Sequence, residues 1–263
     1  MTGQVLIQTD GAVRTLTLDN PGARNAINLQ MSAQLCAGLR EASLDPAVRV
    51  VVLTGSGGAF CAGGDVKAMA AGRDAGLTVE QRADRLRDRA EAARLLHEMS
   101  KPTVALVEGA VAGAGLGLAL ACDFRFASST VKLTTAFARV GLAGDFGVNW
   151  FLTRMLGVAR ARELMMLAPI LTAAEAHAMG LLTRVFAAEA FAQNAAALVA
   201  ELAAGPTVAY GHMKQVTNLA AASTLAPYLE AEALHQASCM VTDDHSSAAR
   251  AFAEKKQPVF SGR

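Results

Sequence analysis

Residues 13–18 (VRTLTL) alternate apolar and polar positions, as a strand with one buried face does. The Asp19-Asn20-Pro21-Gly22 cluster ends that strand in a turn. From Leu29 the spacing changes: Leu29, Met31, Leu35, Cys36, Leu39 and Ala42 recur at helical intervals, with Asn28 placed as N-cap and Asp45-Pro46 as the stop. Residues 50–53 are an unbroken apolar run, which predicts a strand buried on both faces. A glycine-rich loop over 55–64 (GSGGAFCAGG) and a charged helical stretch over about 79–99 follow. Residues 103–107 and 124–127 predict two further buried strands. Strand, glycine loop and helix in alternation predict an α/β fold of parallel βαβ units. Beyond Gly205-Pro206, segments 206–220, 226–241 and 243–254 read as helices and no strand candidate remains. The expected division is a core over 1–204 and a helical region over 205–263.

The most apolar run, residues 109–122, is fourteen residues long, short of the roughly 20 that a membrane-spanning helix needs. Its Gly and Ala content predicts a tightly packed buried helix instead. The start MTGQVLIQTDG lacks the basic residues and apolar core of a signal peptide, so a cytoplasmic, non-membrane protein is expected. Of 263 residues, 52% are hydrophobic and 18% charged, against about 25% charged in average domains. That balance excludes disorder and suits one large α/β domain with or without an appendage. With 24 Lys+Arg and 23 Asp+Glu, there is no basic excess to attract nucleic acid. The shortage of charge points to surface buried in an oligomer. Cys36, Cys61, Cys122 and Cys239 have no CxxC spacing, which predicts buried free thiols and no metal.

Two glycine-rich elements each follow a buried strand: one ends Ala62-Gly63-Gly64-Asp65, the other runs Gly109-Ala110-Val111-Ala112-Gly113-Ala114-Gly115. Ligands of α/β sheets sit beyond the carboxyl ends of strands, and small residues there leave backbone N–H groups uncovered. One N–H from each loop, converging on a point, would form an oxyanion hole. Close helix–sheet packing is the other use of such glycines. Neither loop has the GK[ST] ending or the GxGxxG spacing of a nucleotide site.

Taken together, Asn20-Pro21 with Asn25-Ala26-Ile27, Leu53-Thr54-Gly55, Phe60 to Val66 (FCAGGDV), Lys101-Pro102, Ala112-Gly113-Ala114-Gly115, Cys122-Asp123, Gly141-Leu142-x-x-Asp145, Gly157-x-Ala159-Arg160-Ala161 and the ending Ala251-Phe252-x-x-Lys255-Lys256-x-Pro258-x-Phe260 resemble the crotonase, or enoyl-CoA hydratase/isomerase, superfamily. The resemblance implies a spiral of ββα units with a C-terminal helical region that drives homotrimers or hexamers. It implies an acyl-CoA thioester substrate, whose coenzyme A replaces any separate cofactor, and no metal. It places the oxyanion-hole donors at Gly64 and Ala114. Coenzyme A contacts fall at Arg24, Ala26, Ala62, Asp65, Val66, Lys67 and Lys255.

Hydratases of the family use two glutamates, and the corresponding positions here hold Gly117 and Phe137. Activating water and protonating carbon is work for a pair of acids, so the standard hydratase mechanism is not expected. Asp145 remains, in the stretch 141–147 (GLAGDFG) before a helix. It is placed either as that helix's N-cap or as an acid whose pKa the nearby Phe137, Phe146, Trp150 and Phe151 would raise. Isomerases of the family use an Asp at this position. The isomerases of phenylacetate degradation look closest, although Gly144, Val148 and Glu108 depart from their pattern. Glu108, at a strand end, is a second candidate acid, whereas Asp123 and Asp65 read as structural. His97 and His177 have no nucleophile partner, and no Ser/His/Asp order appears. The expected activity is therefore a double-bond shift or the isomerisation of a ring epoxide of phenylacetyl-CoA by Asp145. A hydratase on Asp145 and Glu108, or an inert acyl-CoA binder, are the alternatives.

Overall fold

A computed structural model describes residues 3–72 and 75–263. In chain order the elements are β1 (Gln4–Asp10), β2 (Val13–Asp19), α1 (Leu29–Leu44), β3 (Val50–Gly55), α2 (Val66–Ala70), α3 (Val79–Glu98), β4 (Thr103–Val107), β5 (Ala110–Ala112), α4 (Ala114–Ala121), β6 (Phe124–Ser128), β7 (Lys132–Thr134), α5 (Val148–Leu167), β8 (Leu171–Thr172), α6 (Ala173–Ala178), β9 (Arg184–Phe186), α7 (Ala188–Ala204), α8 (Thr207–Ala220), α9 (Leu225–Met240) and α10 (Asp243–Ala253). The larger sheet has the order β1-β2-β3-β4-β6-β9 and is parallel except for the β1–β2 hairpin. A smaller sheet has the order β5-β7-β8.

The chain winds between these two layers. β4, β5 and α4 make one turn, with a strand in each sheet and then a helix; β6, β7 and α5 make the next. The earlier turns reach the second layer through single bridges, Ile27↔Gly64 after β2 and Cys61↔Val111 after β3. The fold is thus the α/β class expected from the residues, arranged as the spiral of ββα units that the resemblance implies.

Local sequence accounts for much of this. The Asn28 side chain caps α1 by accepting from the Met31 N–H at 2.8 Å. Met31, Leu35, Cys36, Leu39 and Ala42 are buried along that helix as the spacing predicts, whereas Leu29 is exposed. The run 109–122 departs from expectation because it is not one helix. Its first part pairs with β7 as β5, the chain breaks at Gly113 (φ +51), and α4 begins only at Ala114. All eight residues of α4 are buried, so the small side chains do serve close packing. Cys36, Cys61 and Cys122 are buried free thiols, but Cys239 is only half-buried. Burial pushes the Cys61 and Cys122 thiols up to about 12, which leaves them unreactive.

The helices after Gly205 are pinned to the core by two partly buried cations. Lys214 of α8 reaches the Asp123 carboxylate at 2.9 Å and the Leu96 carbonyl at 2.7 Å. Arg49 donates to Thr207 Oγ1 at 2.8 Å, to the Phe260 carbonyl at 3.1 Å and to the Gly205 carbonyl. Leu225, Leu234, Met240, Val241 and Phe252 stay exposed on this region. Among the described residues no helix is long and apolar enough to cross a membrane.

Candidate active site

The two glycine-rich loops meet. The Cys61 N–H donates to the Ala110 carbonyl at 3.1 Å, the Ala112 N–H to the Cys61 carbonyl at 2.9 Å, and the Ile27 N–H to the Gly63 carbonyl at 2.8 Å. Asn25, fully buried and left-handed (φ +58), holds the first loop from beneath by donating to the Ser56 and Ala59 carbonyls at 2.8 and 2.7 Å. Contact is close enough that a Cβ on Gly63 (φ +103) would lie 3.0 Å from the Ala112 carbonyl oxygen and 3.6 Å from the Ala114 nitrogen. A Cβ on Gly115 would lie 2.4 Å from the Cys61 carbonyl oxygen. Ala114 is the first residue of α4, so its N–H has no acceptor within the helix. Gly64 and Ala114 both line one cavity of about 680 Å³. The glycines therefore serve the close packing weighed from the sequence, and the packing leaves Gly64 and Ala114 on the wall of the same cavity.

Leu29, Val66, Met69, Leu86, Phe137 and Leu142 give this cavity apolar walls, and Arg82, Arg85 and Arg89 enter from one face of α3. Asp145 is the acid among the described lining residues. Its side chain is 16% exposed and one oxygen accepts from the Phe146 N–H at 2.9 Å. Burial pushes its carboxyl above the ordinary range, against the Arg89 charge and the Phe146 N–H, which pull it down. The N-cap role does not fall to Asp145. Gly147 (φ +73) caps α5 without a side-chain bond, and Phe146 in the left-handed region (φ +49) turns the chain so that Asp145 faces the cavity.

Other candidates sort by position. Phe137 is buried in the cavity wall and Gly117 lies against Phe146 and Val148, so neither of the two positions where the resemblance looks for a hydratase acid carries a carboxylate. Glu108 is not among the lining residues; its carbonyl accepts from the Phe60 N–H at 2.8 Å. Asp123 is structural, accepting from the Thr103 N–H at 2.8 Å and from Lys214. His97 packs edge-on against Trp150 and Phe151 with ring centroids 5.1 and 5.4 Å away, and burial lowers its pKa. His177 Nδ1 lies 2.8 Å from the Leu182 carbonyl.

Ala62 and Val66 line the cavity. Arg24, exposed and left-handed (φ +48), is tied to them through its carbonyl, which accepts from the Ala62 N–H at 2.9 Å. Ala26 is buried and its carbonyl accepts from Asn20 Nδ2 at 3.0 Å. Asp65 joins the loop to α2; the side chain of Lys67 lies outside the described residues. Lys255 is exposed in the turn after α10 and is not among the lining residues. Arg89 escaped the reading of the sequence, where α3 registers only as a charged stretch. The signal was the i, i+3, i+7 spacing of Arg82, Arg85 and Arg89, which places all three on one helix face.

The family profile described as "Enoyl-CoA hydratase/isomerase" matches residues 8–263. A protein of Escherichia coli (strain K12) named "1,2-epoxyphenylacetyl-CoA isomerase" is 35% identical over 98% of each chain. One of Rhodobacter capsulatus named "Probable enoyl-CoA hydratase" is 36% identical over 94% of each chain. Among solved structures, an enoyl-CoA hydratase from Polaromonas sp. JS666 superposes with a TM-score of 0.92 at 33% identity, over 98% of this chain and 100% of that one.

Proposed function

The chain belongs to the enoyl-CoA hydratase/isomerase family, and from that premise we propose that it is an acyl-CoA isomerase in which Asp145 moves a proton between carbons. The Gly64 and Ala114 N–H groups hold the thioester carbonyl oxygen. Asp145 as carboxylate takes a proton from the α-carbon of a 3-enoyl thioester, and the electron pair delocalises toward that oxygen. Preorganised donors at the oxygen stabilise the dienolate by several kcal/mol. The protonated Asp145 then returns the same proton to the γ-carbon, leaving a 2-enoyl thioester, so one acid suffices. The ring epoxide named for the E. coli relative is the second substrate type this site suits.

What carries the reading is the single acid among the described lining residues, Asp145, with Gly117 and Phe137 where hydratases keep theirs. A hydratase pairing Asp145 with Glu108 lacks support, because Glu108 is outside the lining. Coenzyme A contacts are proposed at Arg24, Ala26, Ala62, Asp65, Val66, Lys67 and Lys255. A homotrimer or hexamer is proposed from the apolar residues exposed on α9 and at Phe252; a stable monomer in sedimentation velocity would overturn it. The test of activity is a panel of 3-enoyl-CoA, 2-enoyl-CoA and the phenylacetyl epoxide thioester. Turnover of the first or third that disappears in Asp145→Asn is expected. Hydration of 2-enoyl-CoA untouched by that substitution refutes the assignment, and tight binding without turnover identifies an inert acyl-CoA binder.

A further inference from the structure

We propose that the acyl group of the substrate carries a neutral oxygen function, such as a ketone, ether or epoxide oxygen, and that Arg89 donates a hydrogen bond to it. The inference rests on the isomerase reading to the extent that the acyl group lies beside Asp145.

Arg89 sits on α3 with its side chain 9% exposed, and it lines the cavity. Guanidinium carries five N–H donors in a fixed fork, and buried donors in native proteins are nearly always matched. Here they are not. Nε is buried without a partner. The Asp145 oxygen is 3.9 Å from the nearest Arg89 terminal nitrogen, within reach of an ion pair but beyond hydrogen-bond distance. The remaining contact is the Phe146 ring, whose centroid is 5.7 Å from Arg89 Cζ. A charged group held so deep with its donors unused is arranged for an acceptor that the protein itself does not supply. Nε is sealed from the cavity, so the acceptor must meet a terminal nitrogen.

The thioester oxygen is already matched by two backbone donors at the cavity floor, so the acceptor is a second oxygen, farther along the acyl group. Its charge follows from Asp145. A carboxylate at Arg89 would place a second negative charge close to the Asp145 carboxylate in a poorly solvated site, where like charges repel strongly. A neutral oxygen takes the hydrogen bond without that repulsion.

Saturated thioesters test this without turnover. Titration calorimetry compares hexanoyl-CoA with 4-oxohexanoyl-CoA, 5-oxohexanoyl-CoA and adipoyl-CoA on the wild-type protein, on Arg89→Met and on Arg89→Lys. A hydrogen bond to a charged donor predicts that one of the oxo compounds binds at least about tenfold tighter than hexanoyl-CoA. In Arg89→Met, checked for folding by its circular dichroism, that preference falls to within about twofold. In Arg89→Lys part of it survives. Equal binding of hexanoyl and both oxo compounds by the wild type overturns the proposal, as does a preference that persists in Arg89→Met. Strongest binding of adipoyl-CoA overturns the neutral-oxygen assignment. In each of these cases the isomerase reading stands if 3-enoyl-CoA is still turned over, whereas failure to bind any of the thioesters removes the reading beneath it.

Discussion

A Cβ placed on Gly117 would lie 2.7 Å from both the Cβ and the carbonyl oxygen of Phe146. The residue after the candidate acid is therefore seated directly on α4, and its seat exists because position 117 has no side chain. Gly117→Ala is expected to destabilise the fold by about 1–3 kcal/mol through overpacking, read from urea midpoints, and to lower kcat by displacing Asp145. Gly117→Glu should destabilise further and gain no hydration of crotonyl-CoA. A stable Glu variant that hydrates would show that the wall can open.

Asp145→Asn should lower isomerase turnover by about 10²- to 10⁴-fold. In the proposed mechanism Asp145 must be ionised to act as base, and burial raises its pKa from the ordinary 3.8. The acid limb of the kcat profile therefore lies above that value. Arg89 is the main group pulling it back, so Arg89→Met should move the limb to still higher pH. A limb unmoved by that substitution would show that Arg89 has no hold on the carboxyl.

The same shift has a stability sign. The native state keeps the Asp145 proton to higher pH than the unfolded chain does, so between the unfolded and native pKa values the native state binds more protons. Stability from this group falls as pH rises through that window. Asp145→Asn removes the buried charge, so its melting temperature relative to wild type should be higher at pH 7 than at pH 4. The opposite ordering would mean that the carboxylate is stabilised in place.

Lys214 and Asp123 form a mostly buried pair, with side chains 7% and 23% exposed. Removing one partner strands the other, so Lys214→Met should lose about 2–3 kcal/mol, somewhat less than for a fully buried pair because Asp123 keeps some solvent. The double variant with Asp123→Asn should lose less than the two single losses summed.

Much of this was legible in the residues because local chemistry decides it. The Asn28 cap, the face of α1 and the β3 run follow from spacing alone, and the two glycine loops marked the place where they meet. What escaped was decided by long-range pairing. β5 hides in a run that reads as helix, because its strand character comes from β7, twenty-two residues on. β7, β8 and β9 are two or three residues long, too short for any period. Asp145 could not be told from an N-cap until the left-handed Phe146 and Gly147 showed which residue begins α5. Arg89 required knowing that one face of a charged helix looks inward.

Two backbone bonds tie Cys61 to Ala110 and Ala112, and a third ties Gly63 to Ile27, so the two glycine loops are joined directly although they lie far apart in the chain. Neither loop can fray without releasing the other, so the paired donors form a single cooperative opening unit. On warming, the proposed carbonyl-binding corner should open in one step, with the amides of Cys61 and Ala112 exchanging their protons at a common rate.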